Sequence, residues 1–257
     1  MNTIKIFQCE DSIDGIFTAV YQAWSSGYGH DNVKIEVCEK NGYSDMELFS
    51  EYIYVKTDLE KALKVSRSIK QKISEEVYET VCRVALSDCR QKGDLIYRFL
   101  VLGFHMGRDV VNYLSNDVVN LVLKISRNVN NEVHHYLGFL RFTQLENGIL
   151  ASVVSPKNNI VTLLAPHFAD RLPQEKFIIL DRNRNVCAIH MPGSSWFVAD
   201  VSDMGGDIAG QLKNDDRYKD LWKIFFENIA IKERTNLKLQ RNNLPLRFRK
   251  DMTEFLP

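Results

Sequence analysis

The chain has 257 residues, 45% hydrophobic and 26% charged, with 33 basic and 33 acidic side chains that cancel to a formal net charge of zero. This is the composition of an ordinary globular protein with room for one large core or two modest ones. No uncharged apolar stretch approaches the ~20 residues of a membrane-spanning helix, and five scattered cysteines without a Cys-x-x-Cys pair argue against a disulfide framework, a structural zinc or an iron–sulfur cluster.

The first ten residues include Gln8, Cys9 and Glu10 and no basic stretch leading into an apolar run, so a cytoplasmic protein is expected. Charge is unevenly spread: residues 1–60 hold eleven acids and four bases, a net of −7, and the remainder of the chain is basic. The first elements read as a strand at Thr3–Gln8, a helix over Ser12–Ser25 capped by Ser12 or Asp11, and a strand at Val33–Cys38, a β-α-β order. A strand at Tyr52–Val55 leads into a helix capped by Thr57 or Asp58 and reaching Ile73, with Leu59, Ala62, Leu63 and Ile69 as its apolar stripe. The opposite face, with Lys61, Lys64, Arg67, Lys70 and Lys72, reads first as a solvated surface.

From Glu75 to Leu137 the pattern is helical and accommodates three helices. The last shows Val118, Val122, Ile125, Val129, Val133 and Tyr136 at spacings of three and four. The period then drops to two. Phe139–Gln144 and Ile149–Val154 flank an Asn147-Gly148 turn signal, a helix follows at Ile160–Phe168, and strands are expected at Phe177–Leu180, Val186–Met191 and Trp196–Asp200. A glycine-rich loop at Gly205-Gly206-Asp207 precedes a final helix from about Asp215, whose stripe of Tyr218, Leu221, Trp222, Phe225, Phe226 and Ile229 calls for burial. The fold class is α+β: a small N-terminal β-α-β part, a helical middle, and an antiparallel sheet packed with helices in the C-terminal part. The division falls into an N-terminal α/β part with its connecting helix, 1–79, and a second domain, 80–257.

The chain ends on a basic run. Between Ile231 and Lys250 lie Lys232, Arg234, Lys238, Arg241, Arg247, Arg249 and Lys250 against Glu233 alone, 7 − 1 = +6. Such a run suits a phosphate backbone; equally, the interleaved Leu237, Leu239, Leu244, Leu246 and Phe248 allow it to wrap the domain with its charged heads in water. On the helix ending near Leu137, Arg127, Asn131 and His134 stand at i, i+4 and i+7 beside a row of Asn128, Glu132 and His135. Arg141, the pair His167 and Arg171, and the group Asp181, Arg182 and Arg184 could converge with them on one anion. Glu132-x-x-His135 is half of a di-iron motif, which needs two copies, and Cys187-x-x-His190 reads as strand packing. No Walker loop, nucleophile elbow or dinucleotide fingerprint is present.

Several long stretches carry a family resemblance: Cys9-Glu-Asp-Ser-Ile-Asp-Gly-Ile-Phe-Thr-Ala-Val-Tyr21, Glu132-Val-His-His-Tyr-Leu-Gly-Phe-Leu-Arg-Phe142, Ala165-Pro-His-Phe-Ala-Asp-Arg-Leu-Pro173, Phe177-Ile-Ile-Leu-Asp-Arg182, and Leu221-Trp222 through Ile229-Ala-Ile-Lys-Glu-Arg-Thr-Asn-Leu-Lys-Leu-Gln240. In this order they resemble the bacterial family described as "probable DNA metabolism proteins", whose domain of unknown function corresponds to roughly residues 80–255. The resemblance implies a companion of a radical-SAM protein for DNA modification or repair, with the iron–sulfur cluster and S-adenosylmethionine in that partner and no cofactor in this chain. It places the family's polar positions on His134, His135, Arg141, His167, Arg171, Asp181, Arg182, Glu233, Arg234, Asn236 and Gln240. The chain departs from the family pattern at Leu237, where the family has proline, and at Pro245-Leu-Arg-Phe-Arg249, where the family carries a more aromatic Pro-x-Arg-Tyr-Trp.

The expected function is an accessory protein of DNA metabolism or repair that binds DNA and cooperates with a radical-SAM enzyme, its acidic N-terminal part docking that partner. The residues expected at nucleic acid are Arg127, His134, His135, Arg141, His167, Arg171, Arg182, Arg184, Lys232, Arg234, Lys238, Gln240 and Arg241. An alternative is an enzyme acting on a nucleic-acid phosphate or glycosidic bond, with His134 or His135 as acid or base and Arg141 on the anion. A third is a scaffold without DNA contact.

Overall fold

The structure is a computed structural model that describes residues 3–38, 47–145, 148–201, 222, 224–226, 228 and 236–255. The chain divides into two compact units, Met1–Asn130 and Asn131–Pro257. The architecture is α+β: a parallel three-stranded sheet near the N-terminus, a helical middle and a mostly antiparallel five-stranded sheet in the C-terminal part.

In the first unit β1 (Ile4–Glu10), α1 (Ile13–Ser25) and β2 (Val33–Cys38) form the expected β-α-β unit, and β3 (Ser50–Val55) joins the other side of β1. Both pairings are parallel, giving the order β2-β1-β3. Phe7 lies opposite Ile35 and Ile53, and Cys9 opposite Val37 and Val55, so one face of the sheet is apolar and packs in the core with Ile16, Phe17 and Val20 of α1. Ser12 caps α1, its hydroxyl accepting from Gly15 N at 2.9 Å. The chain turns so sharply from β1 into α1 that a Cβ on Gly15 would stand 2.5 Å from Glu10 O and 2.9 Å from Ser12 Oγ.

Four helices complete this unit: α2 (Leu59–Lys72), α3 (Glu75–Ala85), α4 (Lys92–Met106) and the first part of α5 (Asp117–Phe139). Asp58 caps α2, accepting from Glu60 N and Lys61 N. That phase buries Ala62, Val65 and Ile69. The expected stripe is corrected here: Leu59 and Leu63 lie outside the core and are exposed. In α4 a Cβ on Gly93 would meet Ile35 O at 2.9 Å, so helix and strand touch backbone to backbone. Beside it the buried Lys92 donates to Ser87 O at 2.8 Å and pairs with Asp11 at 2.5 Å, which ties the start of α4 to the β1–α1 turn.

In the second unit β4 (Thr143–Gln144), β5 (Leu150–Val154), β6 (Phe177–Asp181), β7 (Val186–His190) and β8 (Phe197–Asp200) lie in sequence order across one sheet. One pair is parallel: α6 (Val161–Arg171) carries the chain from β5 over to β6, and such a crossover needs a helix. All five residues of β6 are buried, as the centre of a sheet covered on both faces requires. His190, also buried, stacks on Phe177 at 4.9 Å and meets Glu175 O through Nδ1 at 2.9 Å. The expected strand Phe139–Gln144 shrinks to the two residues of β4 because the helical stripe runs on through Tyr136 to the buried Leu140, whose N–H reaches Tyr136 O at 2.9 Å. Two short helices, α7 (Leu237–Asn243) and α8 (Leu246–Arg249), follow towards the C-terminus.

Asn147, the 205–207 loop and most of the final aromatic helix lie outside the described residues. Where that helix is described, Phe226 is half-buried, with its ring 5.8 Å from that of Phe255, whereas Trp222 and Phe225 are exposed rather than buried.

Gly15→Ala is expected to lower stability by about 1–3 kcal/mol, because Glu10 O belongs to the backbone and cannot swing aside. Urea denaturation of both proteins measures this, and an unchanged midpoint would show that the β1–α1 turn is not closed as described.

Candidate nucleic-acid interface

Between β5 and α6 the chain passes through Ser155-Pro-Lys-Asn158, and every backbone N–H of this turn is taken by a carboxylate. Ser155 donates to Asp251 through N at 3.0 Å and through Oγ at 3.3 Å. Lys157 N and Asn158 N donate to the two oxygens of Glu132 at 3.1 and 2.9 Å, and Asn158 Nδ2 adds a third bond at 2.6 Å. Pro156 has no N–H to give. The carbonyls are held from the other side: Pro156 O accepts from Asn183 Nδ2 at 2.8 Å and Arg184 Nη1 at 3.3 Å, and Lys157 O from Arg184 Nη2 at 2.6 Å.

Arg184 is itself aimed by Asp181, a fully buried residue at the end of β6 that accepts from Asn183 N, Arg184 N and Arg184 Nη1 at 2.9, 3.3 and 3.0 Å. The turn beyond it runs through Asn185 at φ 55, a conformation asparagine tolerates better than most residues. Three segments far apart in sequence thus grip one four-residue turn: α5 through Glu132, the β6–β7 turn through Asp181 to Arg184, and the residues after α8 through Asp251.

Glu132 and Asp181 point inward and the cations outward. Glu132 is 1% exposed and Asp181 has no exposed surface. Burial pushes the carboxyls of Asp181 and Asp251 up; the Arg184 guanidinium and the backbone N–H groups of Asn183 and Arg184 counteract this at Asp181, and Lys250, the Ser155 hydrogen bonds and Arg182 do so at Asp251. Around them Lys157, Arg182, Arg247 and Lys250 are exposed. Arg247 has 53% of its side chain in solvent while Nη2 stands 3.6 Å from Glu132. A surface built in this way presents positive charge although the segments beneath it supply acids as well.

The histidine and arginine row read from α5 does not gather on this surface as one site. Arg127 and His134 are exposed on α5, one and two positions away from residues turned inward. His135 is half-buried, stacked on Phe139 at 5.7 Å and 5.1 Å from the Phe248 ring, with Nδ1 buried and without a hydrogen-bond partner. Burial, Arg247 and His134 all push its pKa down, which favours the neutral imidazole. Arg141 is occupied: Nη1 donates to Gly138 O at 2.9 Å and Nη2 to the buried Glu254 at 2.8 Å.

His167 and Arg171 are exposed on α6, and no described hydrogen bond or ion pair joins them to the turn. Arg182 and Arg184 do lie at it. Lys238 and Arg241 are exposed on α7 and Gln240 is partly buried there, behind a helix start capped by Asn236, which accepts from Leu239 N at 3.0 Å. Lys232, Glu233 and Arg234 lie outside the described residues. Sequence reasoning missed Lys157 as part of the surface and Asp251 as an anchor; it placed Arg247 and Lys250 in the basic C-terminal run and Glu132 in the polar row of α5 without joining them to this turn. The Ser-Pro-Lys-Asn turn between a strand and a helix was the available signal.

The model of the domain of unknown function DUF4130 matches residues 90–254, well over half of the chain. The chain belongs to this family. A comparison with curated proteins finds no match. The DUF4130 match takes in the turn and all its anchors, from Glu132 to Asp251. Among the described residues, no group of three or more His, Cys, Asp and Glu side chains could hold a metal ion.

Glu132→Ala would leave three donors of the turn without an acceptor and is expected to cost about 3 kcal/mol or more. Urea midpoints check it. A loss below about 1 kcal/mol would mean that the turn does not depend on this carboxylate.

Proposed function

We propose that the protein is a DNA-binding accessory of DNA metabolism or repair that holds the phosphate backbone on the cationic surface around Ser155–Asn158 and serves a radical-SAM enzyme. The observation that carries the reading is the assembly of Lys157, Arg182, Arg247 and Lys250 around a turn whose acids, the buried Glu132 and Asp181 and the half-buried Asp251, are engaged by the turn and its neighbours. The turn's backbone is fixed in advance by its hydrogen bonds, and a surface already placed gives up less freedom on binding. Arg184 supports the same surface from below through the two carbonyls it holds.

The partnership rests on the family resemblance. In this reading the iron–sulfur cluster and S-adenosylmethionine belong to the partner, and this chain contributes DNA and protein contacts in the cytoplasm. No helix among the described residues is long and apolar enough to cross a membrane. The five cysteines form no disulfide, and Cys9 and Cys187 are fully buried.

Each phosphate contact contributes about 0.9 to the slope of log K against log salt on duplex DNA. Fluorescence anisotropy across a salt series is expected to show salt-steep binding by the wild type. In an Arg182→Ala, Arg247→Ala, Lys250→Ala variant both affinity and slope should fall, the slope by up to about 3, while His134→Ala with His135→Ala leaves them unchanged. Equal binding by wild type and triple variant, or no binding by wild type, would overturn the reading.

A further inference from the structure

We propose that the outer face of α2 docks an acidic, amphipathic helical segment of a partner protein. The helix spends its buried face on Ala62, Val65 and Ile69 and turns two leucines to solvent, Leu59 at 62% and Leu63 at 52% exposure. They stand at i and i+4, which sets them side by side as one ridge, and Arg67 continues the same row. Lys64 and Lys72 are exposed on the same helix. A single exposed leucine is ordinary on a protein surface; a paired ridge extended by a cation is the pattern of a helix face that meets another helix.

Charge on this face is available to a partner. Lys61 and Lys70 are engaged, with Asp58 at 3.2 Å and Glu75 at 2.8 Å. Lys64 and Arg67 form no ion pair with an acid among the described residues. Lys64 Nζ lies 6.0 Å from the centroid of the Tyr21 ring, and the side chain remains exposed. Cations without an acid partner beside an apolar ridge complement a segment with leucine-type side chains bordered by glutamate or aspartate. The leucines decide for protein over nucleic acid, because apolar ridges add nothing to a phosphate contact.

The test uses the full chain and a labelled synthetic helical peptide with leucines at i, i+4 and i+7 flanked by glutamates, against a counterpart with lysines in place of the glutamates. Wild type is expected to bind the acidic peptide at least about tenfold more tightly than its counterpart, and Leu59→Ser with Leu63→Ser, and Lys64→Glu with Arg67→Glu, each to weaken it by about tenfold or more. All four side chains are exposed, so thermal unfolding followed by circular dichroism should be unchanged. Equal binding of both peptides, or no effect of the leucine variant, overturns the proposal. So does a phosphate surface: duplex DNA or phosphatidylserine vesicles losing affinity in the Lys64/Arg67 variant while the acidic peptide fails to bind.

Discussion

Buried carboxylates are costly unless their oxygens are met, and in the C-terminal unit the buried Glu132 and Asp181 and the half-buried Asp251 are met by one short turn and its neighbours. Glu132, Asp251 and Asp181 accept from the backbone of 155, 157, 158, 183 and 184, and Arg184 closes the arrangement by donating to the carbonyls of 156 and 157. A turn between a strand and a helix would otherwise leave polar groups to water or to chance. Here the requirement fixes where β5 ends, where α6 begins and where the residues after α8 come to rest. The exposed cations of these segments lie around the turn, Arg247 with Nη2 3.6 Å from Glu132.

The N-terminal unit answers a different constraint. Its parallel sheet meets its helices at backbone distance, with Gly15 against Glu10 and Gly93 against Ile35. Two glycines and the buried Lys92 with its Asp11 partner set how closely α1 and α4 approach the strands. What remains exposed, notably the leucine ridge of α2, is then a consequence of how the inner face is filled by Ala62, Val65 and Ile69.

Much of the fold was legible in the residues. Period and caps located β1, α1 and β2, and Ser12 and Asp58 are the caps the structure uses. Leu59 and Leu63 misled because apolar identity was weighed above phase; the cap sets the phase, and smaller residues take the core. At the end of α5, Phe139 to Leu140 carried both a helical stripe and an apolar alternation, and the stripe prevailed. The parallel pairing of β5 with β6 was hidden behind a sheet that is antiparallel elsewhere, although the helix between the two strands was in view. The α5 row failed as a single site because neighbouring rows of one helix face different surroundings: Glu132 points into the protein and His134 into solvent. The surface that replaced it joins residues from 132, 155–158, 181–184 and 247–251, a distance in sequence that no periodicity reports.

The account depends on the Ser155–Asn158 turn being both the anchored centre of the C-terminal unit and the place where phosphate binds. Amide hydrogen exchange on the full chain, with and without duplex DNA, tests both at once. The account predicts slow exchange at Ser155, Lys157 and Asn158 in the free protein, as carboxylate-bound amides require, with DNA adding protection across this turn and Arg182–Arg184. Fast exchange at the three amides, or a DNA footprint that leaves this turn untouched, would contradict it.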